Sequence, residues 1–424
     1  MSEHHDDTDV LVVGAGLAGL VAATSAARDG ARVTVLDVRA PGGRARTDHL
    51  DGFAFNQGPH ALYHDGPGRR VLSRLGVEPR GAQPPRAGSC AAIAGRTEVL
   101  PVGASSLLRS HLLSTRSRVQ AGALLARLPR LDPTTLATTS VNGWFDELDL
   151  RDDVRDVIGA LVRVSSYQAD HDGFSADAAL VQLQMVARGG VRYLDGGWQQ
   201  LVDGLERAAA SHGVTIAAGE RAETIERDGD RFVVRTPAGT RSAGAVVLAC
   251  GGPSAAERLA PVAPGWRLVG PDAHMACLDL GLSRRPENRF VLGIDVPSYF
   301  SLHHPPADLA PDGRFVAHVG LYETSDPDHD RGLLDQAAWL AGVRTDDVVR
   351  ERFLHRMPVA HAYPSPETGG LAGRPPVAVE SCPGLFVAGD WVGPVGLLAD
   401  ASLASGEHAG TAAAACTSRR RATA

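Results

Sequence analysis

A glycine-rich segment near the start of the chain carries residues suited to bind a dinucleotide. It reads G-A-G-L-A-G over Gly14–Gly19, directly after an apolar stretch at Val10–Val13. The first glycine permits a tight turn, the second lets the backbone approach a pyrophosphate, and the third lets the following helix pack on its strand. Asp37 follows on the order of 20 residues later, where an acid bonds a ribose hydroxyl. The residues assigned to the dinucleotide here are Gly14, Ala15, Gly16, Leu17, Ala18, Gly19, Asp37 and Val38.

The absence of lysine limits the chemistry available to this chain. All 42 basic residues are arginine, so no ε-amine exists for a Schiff base or for a lysine general base. The sequence contains no P-loop, serine-hydrolase or zinc-protease motif. His303 and His304 are adjacent, but no acidic or cysteine partner stands at metal-ligand spacing from them. We therefore expect no metal site.

The composition is that of an acidic globular protein. The 424 residues carry a formal net charge of −7, and 44% of them are hydrophobic, which suffices for two domains with full cores. The one short basic run, Arg419–Arg421, does not form the stripe that nucleic acid requires. Five scattered cysteines without C-x-x-C spacing favour a reducing cytoplasm over a disulfide framework. The acidic N-terminus is unlike a signal peptide, and no uninterrupted stretch approaches the ~20 apolar residues of a membrane span.

Three separated segments have the pattern of one α/β domain. The first contains the glycine turn and a hairpin-like stretch in which Gly52 marks the turn between strands. The second begins near Gly196, reads as a helix and then a strand, and continues through a two-stranded excursion to the apolar run A-V-V-L-A-C. The third is the buried strand G-L-F-V-A-G-D-W at 384–391, followed by a helix over about 398–415.

These segments predict an α/β fold with two domains. A discontinuous Rossmann-like dinucleotide-binding domain is expected over 1–85, 195–255 and 375–424, and a second, α+β domain for the substrate over 86–194 and 256–374. Within the second domain, leucines at helical spacing with arginines between them predict a helix from about Leu107 to Leu128. This helix either buries its leucine face in the domain core or forms an amphipathic surface that touches a membrane.

Four motifs together resemble one enzyme family. They are the glycine turn with its acid, G-G-R at Gly42–Arg44, G-D at Gly389–Asp390, and a following helix that contains Ser405 and Gly406. In this combination the chain resembles the FAD-dependent superfamily of phytoene desaturases, protoporphyrinogen oxidases and amine oxidases. The resemblance is specific for the dinucleotide domain, which it identifies as a discontinuous Rossmann-like FAD-binding domain. It implies FAD as the cofactor.

The resemblance places further residues around FAD. Gly43 and Arg44 are expected near the pyrophosphate and flavin, and Asp390 near the ribityl chain. The helix that starts at about Leu398 is expected to direct its N-terminus at the flavin, which stabilises negative charge there. Ala222 is expected beside the adenine. The residues that the resemblance adds to the cofactor site are Gly43, Arg44, Gly58, Pro59, Ala222, Gly389, Asp390 and Leu398.

Candidates for proton handling follow from the same positions. His60 and Tyr63 stand beside the segment expected over the flavin ring, and Asp400 lies in the first turn of the flavin-facing helix. The alternatives are a structural histidine at His60 and an acid at Asp400 that stabilises the helix N-terminus. Side chains expected in the substrate cavity, or else in packing, are Arg163, Tyr167 and Trp391.

The resemblance implies an FAD-dependent oxidoreductase, like the phytoene desaturases, that dehydrogenates or isomerises an apolar small molecule such as an isoprenoid. Oxygen or a quinone is the expected electron acceptor. Amine oxidases of this superfamily typically use a lysine that holds water against the flavin, and this chain has none, which disfavours that activity. Two alternatives remain open: an oxidase of amines or porphyrinogen-like compounds, and a non-catalytic flavin-binding sensor or scaffold. A cytoplasmic location with possible peripheral membrane contact is expected.

Overall fold

The computed structural model describes residues 8–85, 88–261, 266 and 270–423. In chain order, its strands are β1 Thr8–Val13, β2 Val33–Asp37, β3 Thr47–Leu50, β4 Phe53–Asn56, β5 Leu62–Tyr63, β6 Gly81–Ala82, β7 Ser89–Ile93, β8 Arg96–Val99, β9 Val191–Leu194, β10 Thr215–Ala218, β11 Thr224–Asp228, β12 Arg231–Thr236, β13 Gly239–Leu248, β14 Ala273–Leu282, β15 Phe290–Gly293, β16 Ser298–His304, β17 Phe315–Leu321, β18 Val348–Ala360 and β19 Leu385–Val387.

The helices connect and cover these strands. In chain order they are α1 Leu17–Arg28, α2 Pro67–Arg74, α3 Ala104–Arg109, α4 Thr115–Arg127, α5 Val141–Glu147, α6 Asp152–Ser166, α7 Ala176–Gly189, α8 Gln199–Ser211, α9 Pro253–Leu259, α10 Pro327–Leu340 and α11 Leu398–Thr423. Among the described residues, no helix is both long and apolar enough to cross a bilayer.

The first large sheet is built from strands that come from distant parts of the chain. Its order is β10-β2-β1-β13-β12-β11, with β19 paired to β13. The pairs of β1 with β2 and β13, of β2 with β10, and of β13 with β19 are parallel. Ligands of such open parallel sheets bind at the carboxyl ends of the strands. The loops after β1, β2, β13 and β19 therefore meet at one edge.

Close helix packing covers one face of this sheet. α1 and α11 lie against each other at two glycines, because a Cβ on Gly406 would stand 2.4 Å from the carbonyl oxygen of Ala18 and one on Gly410 would stand 2.1 Å from that of Ala22. Distances below 3.0 Å exclude a side chain. The alanine-rich sequences of both helices serve this contact, since small residues let helix backbones approach.

The second large sheet has the order β18-β14-β17-β16-β15-β7-β8. Its pairs are antiparallel except for β15 with β7. α10 packs on it, with Leu334 and Ala338 in a shared core cluster. The hairpin β3–β4 also approaches this sheet, since a Cβ on Gly281 would stand 3.0 Å from the ring of Phe53. The β3–β4 hairpin is thereby fixed against the second sheet.

The structure corrects the single helix expected over 107–128. α3 ends at Arg109 and α4 begins at Thr115, because the Ser114 hydroxyl accepts from the amide of Ser117 and caps a new helix. α4 buries Ala121 and Leu124 in the helical core of this region. The C-terminal helix begins at Leu398, as expected, but continues past residue 415 to Thr423.

Candidate active site

One large cavity lies at the carboxyl edge of the first sheet and has a volume of about 1190 Å³. That exceeds the range of roughly 300–1,000 Å³ found for drug-sized ligands, so it has room for a large cofactor and part of a substrate. The structure brings many of the sequence-assigned residues together in its wall: Gly14, Gly16, Leu17, Ala18, Asp37, Val38, Gly43, Arg44, Pro59, His60, Tyr63, Tyr167, Ala222, Gly389, Leu398 and Asp400.

The glycine turn has the local geometry that its sequence requires. Gly14 has a φ of +109°, and a Cβ there would stand 2.4 Å from the carbonyl oxygen of Ala249. A Cβ on Gly19 would stand 1.8 Å from the carbonyl oxygen of Gly14. Gly16 differs from both, because its Cβ would meet no described atom within 4 Å. The first and third glycines are thus needed for packing, whereas the second leaves space beside the cavity.

Asp37 is held in place at the end of β2. Its Oδ2 accepts from the amide of Ala15 at 2.7 Å, and its Oδ1 accepts from the amide of Arg39 at 2.9 Å. Each oxygen of a carboxylate has a second lone pair. The two amides fix the Asp37 side chain at the cavity wall. Its remaining lone pairs can accept from a ribose hydroxyl.

Arg44 and Asp390 join two motifs that are far apart in sequence. Arg44 Nη2 donates to Asp390 Oδ2 at 2.8 Å, and Arg44 Nη1 donates to the carbonyl of Val359 at 2.7 Å. The amide of His361 also donates to Asp390 Oδ2, at 3.1 Å. Asp390 is buried, whereas Arg44 is partly exposed and lines the cavity. The guanidinium is therefore fixed at the wall by the carboxylate and the carbonyl.

Sequence comparison shows the family. Residues 17–276, more than half of the chain, match the model of a family described as flavin containing amine oxidoreductase. The chain belongs to this flavin-containing family. FAD is its cofactor, as the sequence motifs implied.

Individual relatives span several named activities. The chain is 28% identical over 260 residues to a phytoene dehydrogenase of Streptomyces griseus, covering 52% of this chain and 50% of that protein. The chain thus spans about half the length of this curated relative. In fold it is similar to a putative protoporphyrinogen oxidase from Exiguobacterium sp. 255-15, with a TM-score of 0.71, 18% identity, and 98% and 99% of the two chains covered. It is also similar in fold to a putrescine oxidase bound to putrescine, with a TM-score of 0.71, 17% identity, and 95% and 98% of the two chains covered.

The residues present fit FAD on two observations. Asp390 Oδ1 is buried and has no hydrogen-bond partner among the described residues. Leaving such an acceptor unsatisfied costs free energy, and a ribityl hydroxyl is the kind of donor that would satisfy it. The open space at Gly16 is the second observation, because any side chain there would enter the region that a pyrophosphate needs. Gly16 therefore leaves room for a pyrophosphate at the cavity wall, whereas Asp390 stands behind the wall beside Gly389 with an acceptor that is free for a ribityl hydroxyl.

A buried arginine outside the sequence motifs positions the third motif. Arg374 Nη1 donates to the carbonyl of Asp390 at 3.0 Å, and its Nη2 donates to the carbonyl of Gly396 at 2.7 Å. One guanidinium thereby holds both the G-D turn and the approach to α11. Burial lowers the pKa of Arg374 to about 10, which leaves it charged at neutral pH. We did not identify it from the sequence, because no local motif surrounds it.

His60 lies at the cavity wall as a neutral base. Burial lowers its pKa to about 4, against a smaller opposing effect of the Gly58 carbonyl. Its Nδ1 is 3.0 Å from that carbonyl oxygen. Because a carbonyl can only accept, Nδ1 carries the hydrogen and Nε2 keeps a lone pair. The ring also makes an edge contact with Trp198, at a centroid distance of 4.8 Å.

Tyr63 and Tyr167 are both neutral at physiological pH. Tyr63 donates to the carbonyl of Ser165, and burial raises its pKa well above the usual range. Burial raises the pKa of Tyr167 to about 12. The Tyr167 hydroxyl lies 3.1 Å from that of Tyr299 and donates to the carbonyl of Pro59 at 3.4 Å. This second bond ties the end of α6 to the segment that carries His60.

Two residues expected in the substrate cavity lie elsewhere. Trp391 is 1% exposed in the core of the first sheet, where its indole N–H donates to the carbonyl of Gly251. Arg163 donates to the carbonyls of Gly293 and Ile294, and so fastens α6 to the second sheet. Both side chains donate to backbone carbonyls outside the cavity, and neither lines it.

The remaining sequence-assigned residues, Asp390 among them, stand behind the wall. Ala15 holds Asp37 through its amide, and Gly19 packs on the turn. Gly58 has a φ of +78°, and a Cβ there would stand 2.4 Å from Met357 Cε. Met357 and Met275 line the cavity themselves. Sequence reasoning missed both, because isolated methionines in strands carry no distinctive signal.

A buried polar row crosses the second sheet near the cavity. Asp279 on β14 lies in register between Arg352 on β18 and His318 on β17. Arg352 Nη2 donates to Asp279 Oδ2 at 2.6 Å, and His318 Nδ1 is 2.6 Å from Oδ1. Burial alone would raise the pKa of Asp279, but His318 and Arg352 lower it. Arg352 also binds Asp48 and the carbonyl of Asn56, so the row fixes the β3–β4 hairpin that precedes His60.

Among the described residues, one group has metal-ligand geometry: Cys277, Asp279 and His318, whose donor atoms lie within 4.8 Å of one another. Both carboxylate oxygens of Asp279 already accept from Arg352 and His318. A guanidinium against the carboxylate opposes a second cation at the same place. The hydrogen-bonded row therefore accounts for the group, and the expected lack of a metal stays a prediction.

Proposed function

We propose that this protein is an FAD-dependent oxidoreductase that dehydrogenates an apolar small molecule such as an isoprenoid. The observation that carries the proposal is the uncharged part of the cavity wall outside the dinucleotide motifs, beside which Arg44 donates to the carbonyl of Val359. This part consists of Pro59, His60, Ala61, Leu62, Tyr63, Tyr167, Trp198, Met275, Met357, Pro358 and Val359. The titratable members of this group are neutral at physiological pH, as shown above for His60, Tyr63 and Tyr167. Such a surface favours a hydrocarbon over an ion.

The proposed reaction needs little from the protein beyond binding and orientation. Bound FAD supplies the acceptor for a hydride from a substrate carbon. The apolar wall excludes water from the breaking C–H bond. When a second C–H bond breaks on the neighbouring carbon, its proton goes to a base. Nε2 of His60, which is unprotonated at this wall, is the base that we propose. Loss of a hydride and a proton leaves a double bond in the substrate.

The same wall disfavours amines as substrates. An ammonium group buried in this cavity would need a carboxylate partner. The carboxylate that approaches from α11 is Asp400, whose pKa burial raises to about 7, so it is a weak partner at neutral pH. The lack of lysine removes the residue that typical amine oxidases of this superfamily place at the flavin.

Anaerobic reduction of the flavin tests the proposal. The purified holoprotein is mixed without oxygen with long-chain polyenes, porphyrinogens or primary amines, and the visible flavin absorbance is followed. We expect polyenes alone to bleach the flavin, with a product that has lost a pair of hydrogen atoms by mass spectrometry. Bleaching by amines or porphyrinogens alone would support the alternative oxidase, and binding of FAD without bleaching by any compound would support a sensor or scaffold.

Two further outcomes refine the reaction. An isomerase would leave the flavin oxidised at the end of the reaction and the product mass equal to that of the substrate. A dehydrogenase would leave the flavin reduced and the product lighter by a pair of hydrogen atoms. Exposure of the reduced enzyme to air or to a quinone then identifies the electron acceptor by the faster return of flavin absorbance. A protein that shows no flavin absorbance even after incubation with FAD would overturn the proposal as a whole.

A further inference from the structure

The segment between β8 and residue 132 has an unusual charge distribution. Residues 99–131 contain five arginines and no aspartate or glutamate, in a chain whose formal net charge is −7. The segment comprises α3, α4 and the short turn that follows α4. Positive charge in an otherwise acidic protein is thus concentrated on two adjacent helices.

Three of the five arginines form one stripe that runs along α4 into the short turn after it. Arg116, Val119, Ala123, Arg127 and Arg130 follow one another at intervals of three or four residues, and all are exposed. Positions at this spacing share one face of a helix. The core-facing side of α4 carries Ala121 and Leu124. The solvent-facing side is therefore both basic and apolar, where an ordinary surface helix mixes both signs of charge.

The same face holds the most exposed large apolar side chains of the described protein. Leu108 is 75% exposed and Val119 is 72% exposed, and Val102 at 43% lies nearby in sequence. α3 buries none of its residues. Its Leu107 lies against α4, since a Cβ on Gly122 would stand 3.9 Å from Leu107 Cδ1. Leu108 and the α4 stripe thus belong to one surface, which we call the α3–α4 face.

The arginines of this segment form no salt bridge with acids of the described chain, although Asp153 accepts from the amide of Ser114 and the hydroxyl of Ser117 at the start of α4. Arg109 Nε donates to the carbonyl of Ser105, Arg118 Nη2 to that of Ser110, and Arg130 Nη1 to that of Ala126. These partners are backbone carbonyls, which carry no net charge to pair with a guanidinium. A ligand for this face must therefore supply negative charge and accept aliphatic side chains at once.

We propose that the α3–α4 face docks on an anionic lipid bilayer. A bilayer surface offers phosphate charge to guanidinium groups and an apolar layer just beneath for Leu108 and Val119. A nucleic acid would neutralise the arginines but would leave both aliphatic side chains in water. The benefit of this contact to the enzyme rests on the proposed function, because docking would bring the cavity to an apolar substrate that is dissolved in the bilayer. The binding itself does not depend on turnover.

Vesicle co-sedimentation of the holoprotein tests the proposal. The probes are vesicles of phosphatidylcholine alone and vesicles in which part of it is replaced by phosphatidylglycerol. We expect binding to the anionic vesicles and a decline as salt rises. An arginine near an anionic surface contributes about fivefold, so R116Q/R127Q/R130Q should weaken binding on the order of 100-fold. L108S/V119S should weaken it roughly tenfold, since less apolar area is buried.

A matched variant controls for net charge. R284Q/R285Q/R314Q removes three exposed arginines after β14 and before β17, away from β8 and the α3–α4 face. We expect it to bind like the parent. Retained flavin absorbance in every variant shows that each is folded, and these positions touch neither the cavity nor its wall.

Several outcomes would overturn the inference. They are equal binding to neutral and anionic vesicles, equal weakening by the control variant, or full binding by R116Q/R127Q/R130Q. Duplex DNA that binds the parent more tightly than the anionic vesicles, with L108S/V119S unaffected, would assign the face to nucleic acid instead. Vesicle binding by a protein that reduces its flavin with no polyene would leave this inference standing and remove the proposed function.

Discussion

Asp400 should lower the stability of the protein as the pH rises, which is the opposite of an acid whose pKa is lowered by a partner in the folded state. It lies in the first turn of α11 and is 2% exposed. Its Oδ1 accepts from the amide of Gly68 at 2.8 Å, and its Oδ2 is buried with no partner among the described residues. Burial raises its pKa from 3.8 to about 7, against smaller lowering effects of the Gly68 amide and Arg70.

The magnitude follows from linkage between protonation and folding. The folded state holds the proton up to about pH 7, whereas the unfolded chain releases it near the ordinary value of 3.8. Stability is therefore unaffected below the unfolded pKa and falls as pH rises towards the folded pKa. A pKa unit corresponds to about 1.4 kcal/mol, so the whole effect should lower the free energy of unfolding by roughly 4 kcal/mol. About 3 kcal/mol of that decrease should occur as the pH rises from about 5 to about 8.

Asp400→Asn removes this effect while preserving shape and the bond from Gly68. We expect the variant to be more stable than the parent above neutral pH, by an amount that shrinks as the pH is lowered. Urea unfolding of the flavin-free parent and variant across this pH range measures the difference. Asp328→Asn, at an exposed position in the first turn of α10, is the control. A difference between D400N and the parent that is constant with pH would refute the reasoning.

Four other substitutions test the site. Gly16→Ala should keep its melting temperature but lose flavin absorbance, whereas Gly19→Ala should unfold more easily, because its Cβ would stand 1.8 Å from the Gly14 carbonyl oxygen; equal stabilities by circular dichroism would contradict this. Arg352→Met leaves Asp279 buried with its charge partner removed and should cost roughly 3–5 kcal/mol in urea unfolding; a loss below about 1 kcal/mol would show that the row is not stabilising. His60→Gln should slow flavin reduction without changing its pH profile between about pH 5 and about pH 9, since a pKa of about 4 keeps the ring neutral throughout; a step in the parent profile near pH 6 that the variant lacks would contradict this.

The sequence predicted several elements around the cavity where the signal is local. The glycine turn, β2 ending at Asp37 and the hairpin at Gly52 each depend on residues close together in the chain, whose steric requirements are readable from residue type. The break between α3 and α4 was also local, since Ser114 is a good N-cap. The leucine periodicity that continues across it concealed the break. Patterns of apolar residues report which face is buried, not whether the backbone is continuous.

The sequence by itself determined the kind of cofactor, because Gly14–Gly19 is a local dinucleotide motif, and together with Gly42–Arg44 and Gly389–Asp390 it carries the resemblance that implies FAD. Tertiary structure decided which side chains reach the cavity. Trp391, next to a cofactor residue in sequence, turns into the core, whereas Met275 and Met357 meet at the wall from strands far apart in the chain. The row of Arg352, Asp279 and His318 exists only because the register of three strands aligns them. Long-range register and side-chain direction arise from packing the whole sheet, and no local pattern contains them.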